Sequence, residues 1–323
     1  ITGEHVTLDA GTGCVHTAPG FGADDFIVCQ KYQIPIIVPV DEKGCHTAES
    51  GKYEGLYVDD SNEIILKDLE ACGALLATED IVHSYPHCWR CKNPIIFRTT
   101  EQWFCSIDAL KDDAVKACHN ITWLPGWGEE RMTSMIMERS DWCISRQRIW
   151  GVPIPIFFCK DCGKPLVNER TIQIVSELFR ERGSNAWFEL DASEILPEDI
   201  RCECGCGAFD KETDTMDVWF DSGSSHAAVL EDGKFPYLQF PADLYLEGND
   251  QYRGWFQSSM LTSIAIKGVA PYKTVITHGM IVDEERQKMS KSLGNGISLQ
   301  DILKDYGADI VRLWVASADY RQD

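Results

Sequence analysis

The sequence has 323 residues, of which 44% are hydrophobic, and it contains ten tryptophans. This is enough apolar material for a folded core and, by length, for about two or three domains, which excludes a disordered chain. The formal net charge of −21 at pH 7 argues against a large nucleic-acid footprint on this segment, because phosphate contacts need clustered Lys and Arg. It has no apolar run of membrane-spanning length and no signal peptide at its start. We therefore expect a cytoplasmic protein that does not contact a membrane.

Residues 1–83 are predicted to form one compact α+β unit that is rich in strands and punctuated by glycines. The pattern predicts a strand at His5–Leu8, extended apolar residues at Ile34–Val40 and a helix at Ser61–Cys72. The sequence begins inside the predicted strand and without an initiating Met. We interpret it as an interior segment of a longer protein.

Residues 84–213 contain most of the paired cysteines, many prolines and two amphipathic patterns, which predict helices at Asp108–Cys118 and Glu169–Arg182. We interpret residues 84–150 as half of a zinc knuckle followed by a connector. Residues 151–213 are interpreted as a zinc-binding insertion.

The strongest metal signal is the pair of motifs Cys159-x-x-Cys162 and Cys202-x-Cys204. Four thiolates from two turns are typical of a closed, tetrahedral structural zinc site, and Cys206 is a possible substitute for either of the last two. A disulfide scaffold is the poorer interpretation of the 14 cysteines, because such scaffolds are small and secreted. Cys88-x-x-Cys91 supplies half a site, and the remaining cysteines are interpreted as small apolar packing residues.

From residue 214 to residue 323, short strand patterns alternate with helical patterns. This alternation predicts a parallel sheet with ligands bound at the ends of its strands. The predicted strands are Met216–Phe220, Leu244–Glu247 and Thr274–His278, and the predicted helices are Arg253–Ile266 and Leu299–Tyr306.

The segment Lys288-Met289-Ser290-Lys291-Ser292 carries the clearest catalytic signal. Two ammonium groups on a loop of small residues can clamp a polyphosphate and stabilise the charge that develops during nucleotidyl transfer. A bare K-x-x-K would favour a solvated turn, but the whole pentapeptide resembles the signature loop of the class I aminoacyl-tRNA synthetases. The resemblance implies activation of an amino acid by ATP with magnesium, followed by transfer to tRNA, with Lys288, Ser290 and Lys291 as catalytic residues.

Three further stretches, Trp142–Gly151, Asp217–Ser225 and Glu247–Phe256, resemble the isoleucine-specific branch of that family rather than the valine or leucine branches. The resemblance extends from about Val6 to Trp314. It implies an α/β fold: the C-terminal half of a Rossmann-type, parallel-sheet catalytic domain at residues 214–323, preceded by part of an α+β editing domain and zinc-binding insertions. The implied partners are isoleucine, ATP and tRNA(Ile), and the implied parent enzyme is a monomer.

The same resemblance assigns roles to individual side chains. Trp219 and Trp255 would wall an apolar pocket for the branched side chain, and Gln251 would bond the amino acid. Glu247 would meet the adenylate ribose, and His278 with Gly279 and Lys291 would contact ATP. Without the resemblance, buried tryptophans are more often core residues and a lone histidine is more often structural.

An editing site is also implied, because an apolar pocket separates substrates that differ by one methylene only about 10- to 200-fold, a limit known for isoleucine against valine in this family. The segment from Gly11 to Asp25 resembles the editing pocket. Asp25 would bind the α-ammonium of a misacylated substrate, and Thr12, His16 and Thr17 would line the site. Taken alone, the glycine-rich segment favours a turn before a helix. Phe21 departs from the many relatives that have a second histidine there, and the threonine-rich strand of that pocket lies outside this sequence.

The sequence departs from the family pattern because it lacks the His-x-Gly-His element of the first Rossmann half. We therefore expect that the chain alone does not activate isoleucine. Two alternatives stay open: a valyl-type or leucyl-type synthetase, and a non-catalytic zinc-binding module that docks tRNA or another partner. The acidic charge and the presence of both lysines weigh against the second alternative.

Overall fold

The computed structural model describes residues 1–9, 11–88, 91–289 and 294–321. The chain divides into two compact units, Ile1–Glu101 and Gln102–Asp323. This division falls after residue 101 and does not test the functional boundaries predicted at residues 83, 150 and 213, which stay predictions. In the described part of the chain, every helix is too short or too polar to cross a bilayer.

The first unit contains α1 (Ala23–Lys31), a 3-10 helix (Ala48–Tyr53) and α2 (Val58–Ala71). The helix predicted at Ser61–Cys72 is confirmed as α2, with slightly earlier bounds. The predicted strand at His5–Leu8 is wrong, because the chain forms a turn and a bend there. The expected richness in strands is also wrong. The described residues before residue 84 form isolated bridges, such as Val40 with His46, rather than ladders. An extended segment becomes a strand when a neighbour completes its hydrogen bonds.

The second unit contains ten α-helices within its described residues. The helices predicted at Asp108–Cys118, Glu169–Arg182 and Leu299–Tyr306 are confirmed residue for residue, and the one predicted at Arg253–Ile266 begins two residues later. A 3-10 helix at Asn249–Arg253 precedes it. The helices are α3 (Asp108–Cys118), α4 (Gly128–Met137), α5 (Glu169–Arg182), α6 (Ala186–Glu189), α7 (Ala192–Ile195), α8 (Val218–Gly223), α9 (Ser225–Leu230), α10 (Trp255–Lys267), α11 (Leu299–Tyr306) and α12 (Ala308–Ser317).

The strands of this unit belong to four small sheets. They are β1 (Phe104–Cys105), β2 (Thr122–Leu124), β3 (Trp142–Cys143), β4 (Ser145–Arg146), β5 (Phe157–Cys159), β6 (Pro165–Leu166), β7 (Phe209–Lys211), β8 (Thr215–Met216), β9 (Ala242–Gly248) and β10 (Tyr272–His278). The order β2-β10-β9 is parallel throughout. The order β6-β5-β7 and the pairs β1-β3 and β4-β8 are antiparallel. The predicted α/β class with a parallel sheet is therefore confirmed.

The strand predicted at Met216–Phe220 is wrong, since β8 ends at Met216 and α8 begins at Val218. The carbonyl oxygen of Asp217 accepts bonds from the amides of Phe220 (2.8 Å) and Asp221 (3.2 Å), which turns the chain into a helix. An apolar run as short as Val218-Trp219-Phe220 fits a strand or a helix equally well, and the tertiary contacts of Asp217 decide between them.

Two hydrophobic clusters organise the unit. One contains 16 buried residues and joins the parallel sheet to α3, α4 and α10; Phe256 and Val275 are among its fully buried members. The other contains ten buried residues, among them Phe157 and Trp187, and fills the segment between β5 and β7. Residues Phe256–Ile264 of α10 are all buried, so the helix that follows the ends of β9 is held on every side.

Candidate active site and metal centre

The parallel register of β9 and β10 brings two predicted ATP contacts to one edge of the sheet. Glu247 lies opposite Thr277, and Gly248 lies opposite His278. The carboxyl ends of parallel strands are where open α/β sheets bind ligands. Gly248 lets the side chain of Met280 lie close to this strand end, because a Cβ at position 248 would be 2.5 Å from Cε of Met280.

The tautomer of His278 follows from its contact with the backbone. Its Nδ1 donates to the carbonyl oxygen of Gly279 at 2.7 Å, since a carbonyl can only accept. In the neutral ring this leaves Nε2 as the acceptor. The amide of Gly279 donates to the carbonyl oxygen of Tyr320 at 2.7 Å, which fixes the strand end against the C-terminal residues that the structure describes.

Gly254 joins two of the predicted substrate contacts. A Cβ on Gly254 would lie 2.5 Å from Oε1 of Gln251 and 2.9 Å from Cη2 of Trp219, so both side chains lie against its Cα. Oε1 of Gln251 already accepts a bond from the amide of Trp255 at 2.9 Å. A substrate at this point would therefore meet the amide NH₂ of Gln251, which is a donor.

The two predicted pocket tryptophans differ in freedom. The ring of Trp255 stacks on Tyr245, with ring centroids 3.9 Å apart and planes inclined by 9°. Its Nε1 donates to the carbonyl oxygen of Ser222 at 3.0 Å and to Oγ of Ser225 at 3.1 Å. Trp219 stays 40% exposed. Trp255 is therefore held in one orientation, whereas part of the Trp219 side chain is accessible to solvent.

The lysine loop follows a short hairpin in which Val282 and Lys288 form a bridge. Nζ of Lys288 lies 3.5 Å from Oδ2 of Asp250, and both side chains are exposed. Nδ2 of Asn295 donates to Oδ2 of Asp283 at 2.6 Å, and this bond lowers the pKa of Asp283. The other two predicted catalytic residues, Ser290 and Lys291, lie outside the described residues.

The four predicted metal ligands converge. Sγ atoms of Cys159, Cys162, Cys202 and Cys204 all lie within 4.8 Å of one another. The pairs Cys159–Cys204 and Cys162–Cys202 are each 3.5 Å apart. A tetrahedral zinc ion with bonds of about 2.3 Å needs sulfur atoms about 3.8 Å apart, so the donor set fits zinc. It is the one group of three or more candidate ligands found within residues 1–9, 11–88, 91–289 and 294–321.

Two tight turns aim these thiols at one point. The amides of Gly163 and Gly205 donate to the carbonyl oxygens of Cys159 (2.9 Å) and Cys202 (2.8 Å). Both glycines have positive φ angles, +68° and +90°, which favour glycine. The pKa of Cys159 is lowered to about 6, mainly by the backbone N–H of Cys162, whereas the pKa values of Cys162 and Cys204 are raised, in part by bonds to the neighbouring thiols. Of these three, Cys159 most readily forms the thiolate that metals bind.

Cys206 lies beside this group and outside it. Its Sγ accepts a bond from the amide of Ala208 at 3.3 Å, and its carbonyl oxygen accepts one from the amide of Cys202 at 2.8 Å. The geometry therefore selects Cys202 and Cys204 as the second ligand pair. In the other motif, the amide of Lys92 donates to the carbonyl oxygen of Cys88 at 2.9 Å, which forms a turn.

The predicted editing residues lie at and before the start of α1. Oδ2 of Asp25 accepts the amide of Ala18 at 2.9 Å, and this bond ties the glycine-rich segment to the first turn of the helix. Oγ1 of Thr12 accepts the amide of Cys14 at 3.3 Å. His16 is exposed and Thr17 is half-buried. The turn before a helix is thus present, and the editing roles stay predictions.

Sequence reasoning assigned no role to the buried carboxylate of Asp217, which is 5% exposed. Its Oδ2 accepts Nε1 of Trp142 at 2.9 Å, and its Oδ1 lies 3.2 Å from Nη2 of Arg146. The signal was available, because all three residues stand in motifs that carry the family resemblance. Asp217 fixes the start of α8 and so the position of Trp219.

The sequence of the chain is similar to those of known proteins. The family model described as tRNA synthetases class I (I, L, M and V) matches residues 33–323. The isoleucine–tRNA ligase of Caldanaerobacter subterraneus subsp. tengcongensis is 62% identical over 323 residues, which are 100% of this chain and 34% of that protein. The isoleucine–tRNA ligase of Caldicellulosiruptor bescii is 61% identical over 324 residues, covering 100% and 35%. Mycobacterium tuberculosis methionyl-tRNA synthetase in complex with methionyl-adenylate aligns with a TM-score of 0.47 at 19% identity, covering 76% of this chain and 39% of that one. The chain spans about a third of the length of the curated relatives it matches.

Proposed function

Because this chain belongs to the class I tRNA synthetases for isoleucine, leucine, methionine and valine, we propose that it supplies part of an enzyme that activates isoleucine and transfers it to tRNA(Ile). The observation that carries the proposal is the contact of Lys288 with Asp250. Asp250 neighbours Gln251 and follows the end of β9, so this contact links the lysine loop to the segment proposed to hold the amino acid.

In the proposed reaction, a carboxylate oxygen of isoleucine attacks the α-phosphorus of ATP. The bond from that phosphorus to the bridging oxygen breaks, and pyrophosphate leaves with magnesium. Lys288 and Lys291 would stabilise the charge on the phosphates, since positioned cations act most strongly where charge develops. Glu247 and the His278–Gly279 pair would hold the nucleoside, so that the two reactants meet in line.

Specificity for isoleucine would come from Trp219, Trp255 and Gln251. The first two side chains offer apolar ring surface, and the NH₂ of Gln251 can donate to the substrate. Two relatives named isoleucine–tRNA ligase, identical at 61–62% of positions, support this choice over valine or leucine. The rival docking module without catalysis would instead require tRNA affinity of the isolated chain that falls steeply with salt.

The test is isoleucine-dependent exchange of pyrophosphate into ATP by a protein of the relatives' full length. Lys288→Ala should lower the exchange rate by about 100-fold, in line with the loss of one stabilising donor. The control is Lys273→Ala, an exposed lysine paired with Asp243 at 2.7 Å. Exchange driven by valine or leucine in preference to isoleucine would overturn the proposal. We expect no exchange from residues 1–323 alone.

A hydrolytic editing function is proposed for Thr12, His16, Thr17 and Asp25. The bond from Ala18 to Asp25 supports it, because this bond holds the carboxylate beside the glycine-rich segment. The test is release of valine from mischarged tRNA(Ile) by the full-length protein. Asp25→Ala should abolish that release, and undiminished release would contradict the assignment.

We also propose that Cys159, Cys162, Cys202 and Cys204 hold one structural zinc ion. The sulfur spacing supports zinc, and four thiolates leave no open position for a substrate. A bound zinc ion would supply a cross-link between the two turns. The chain's own turns, set by Gly163 and Gly205, present the thiols. A cytoplasmic, monomeric parent enzyme is part of the same proposal, and sedimentation of the full-length protein would test its oligomeric state.

A further inference from the structure

A cavity of about 460 Å³ lies beside Trp219, between the end of α4, the start of α8 and the start of α10. Three guanidinium groups line it, those of Arg139, Arg146 and Arg253, and we call it the arginine cavity. Its volume lies in the range of small-ligand sites, which is about 300–1,000 Å³. It shares Trp219 with the proposed isoleucine site, but Gln251 and Trp255 are absent from its lining.

The carboxylates at the cavity are mostly committed to other partners. Asp217 accepts Nε1 of Trp142 and pairs with Arg146. Oδ1 of Asp141 accepts the amide of Ile107 at 3.1 Å. Glu138 is exposed and opposes part of the positive charge. Among the described residues, Arg146 is thus the one arginine of the cavity that forms an ion pair, and its partner is Asp217.

Arg139 is only partly satisfied. Its Nη1 donates to Oε1 of Gln257 at 2.5 Å, and its guanidinium lies over the ring of Trp142, 5.0 Å from the centroid. Its Nε is buried and has no hydrogen-bond partner among the described residues. Burial lowers the pKa of Arg139, and the nearby charge of Asp217 opposes that shift. A partly buried cation that lacks a full set of acceptors is costly unless another group completes it.

We propose that the arginine cavity is a binding site for a phosphate-type oxyanion, held by Arg139 and Arg253. No carboxylate of the described residues lies within 4.0 Å of either guanidinium, and the opposing charges at the cavity that also lack such an ion pair are those of Glu138 and Asp141. Inorganic phosphate carries about one to two negative charges at pH 7, and each phosphodiester of an RNA chain carries about one. Guanidinium forks match its oxygen atoms in pairs.

The phosphate could be free inorganic phosphate or part of a ribonucleotide chain. The exposed ring of Trp219 beside the cations would suit a base of such a chain, because bases stack on aromatic rings. The oxyanion site does not depend on the proposed synthetase function. Its occupancy can be measured on this chain without any substrate of that reaction.

The experiment is a titration of inorganic phosphate into the chain at constant ionic strength, followed by calorimetry and by tryptophan fluorescence. Arg139→Gln and Arg253→Gln should each weaken binding about tenfold, the loss expected for one charge-assisted hydrogen bond. Glu138→Gln should tighten binding, because it removes one of the opposing charges at the cavity. The control is Arg131→Gln, an arginine of α4 whose guanidinium lies over Trp127 and Tyr252, at 5.7 and 5.3 Å from the ring centroids.

Absence of saturable phosphate binding would overturn the proposal, and so would equal affinities in Arg139→Gln, Arg253→Gln and the control. If Arg139→Gln fails to fold, the exposed positions Arg253 and Glu138 still decide the outcome. A second arm uses a single-stranded ribo-oligonucleotide of three residues. Tighter binding than phosphate, lost in the same variants, would identify an RNA phosphate as the ligand. Equal binding would identify the free anion.

Discussion

The segment from Phe157 to Lys211, which we call the zinc module, and the parallel sheet of β2, β10 and β9 build their sites differently. In the module, two of the ten residues in the buried cluster are themselves proposed ligands, Cys159 and Cys202. In the sheet, 16 buried residues support side chains that project from its carboxyl edge. A small cluster can hold a precise site when a metal cross-links it, whereas the sheet depends on packing over a larger core.

The largest expected effect comes from removing the metal. The double variant Cys159→Ser with Cys202→Ser should reduce the zinc content from about one ion per chain to about zero, since a tetrahedral structural site needs four ligands. The module should then unfold, because structural zinc sites contribute directly to folding. Hydrogen exchange should show lost protection for residues 157–211 and retained protection for β9 and β10.

The matched control is Cys206→Ser, because Cys206 lies outside the group of four converging sulfur atoms and its thiol accepts the amide of Ala208 at 3.3 Å. This variant should retain the zinc. If β9 and β10 of the double variant lose their protection together with the zinc module, the proposed difference between the two sites is contradicted. It would mean that one folding unit, not two kinds of support, underlies both sites.

The same contrast explains which features the sequence could predict. The metal ligands lie in two short motifs, so their spacing predicted the cluster that the structure contains. Helix α5 was predicted to the residue from its amphipathic pattern, and the structure adds a local cap at Asn168 that explains where it starts. Such features depend on neighbours along the chain.

Features that join distant residues could not be predicted in this way. The contact of Lys288 with Asp250 spans 38 positions, and the bond of Arg139 to Gln257 spans 118. The wrong strand at Met216–Phe220 has the same origin, since the conformation there depends on what Asp217 contacts. Only the family resemblance pointed to Trp219 and Gln251, because their meeting at Gly254 requires the folded chain.

An intermediate effect is expected at Gly254. In Gly254→Ala, the new methyl group would collide with Oε1 of Gln251 and the ring of Trp219, both within 3.0 Å. Overpacking of this kind costs about 1–3 kcal/mol. The urea midpoint of the sheet should fall and the fluorescence of the chain should change, while the zinc content stays the same.

Gly126→Ala provides the control, because a Cβ at Gly126 meets no atom within 4 Å. Its free energy of unfolding should stay within about 0.5 kcal/mol of that of the parent chain, as for most exposed substitutions, so its urea midpoint should hardly change. Equal midpoints for the two variants would show that the site around Gly254 adapts easily. The claim that the large core holds that site rigidly would then fail.

The smallest effect is expected at the start of α5 in the zinc module. Oδ1 of Asn168 accepts the amide of Thr171 at 3.0 Å, and Oγ1 of Thr171 accepts the amide of Asn168 at 3.0 Å. Asn168→Ala removes the first bond and should cost about 1 kcal/mol. Asn185→Ala is the matched control, because Asn185 occupies the same position before α6 without a capping bond. If the metal cross-link dominates the module, zinc affinity measured by competition with a chelator should be nearly equal in both variants. A large loss of zinc affinity in Asn168→Ala would instead show that the packing of α5, and not the two cysteine turns, sets the metal site.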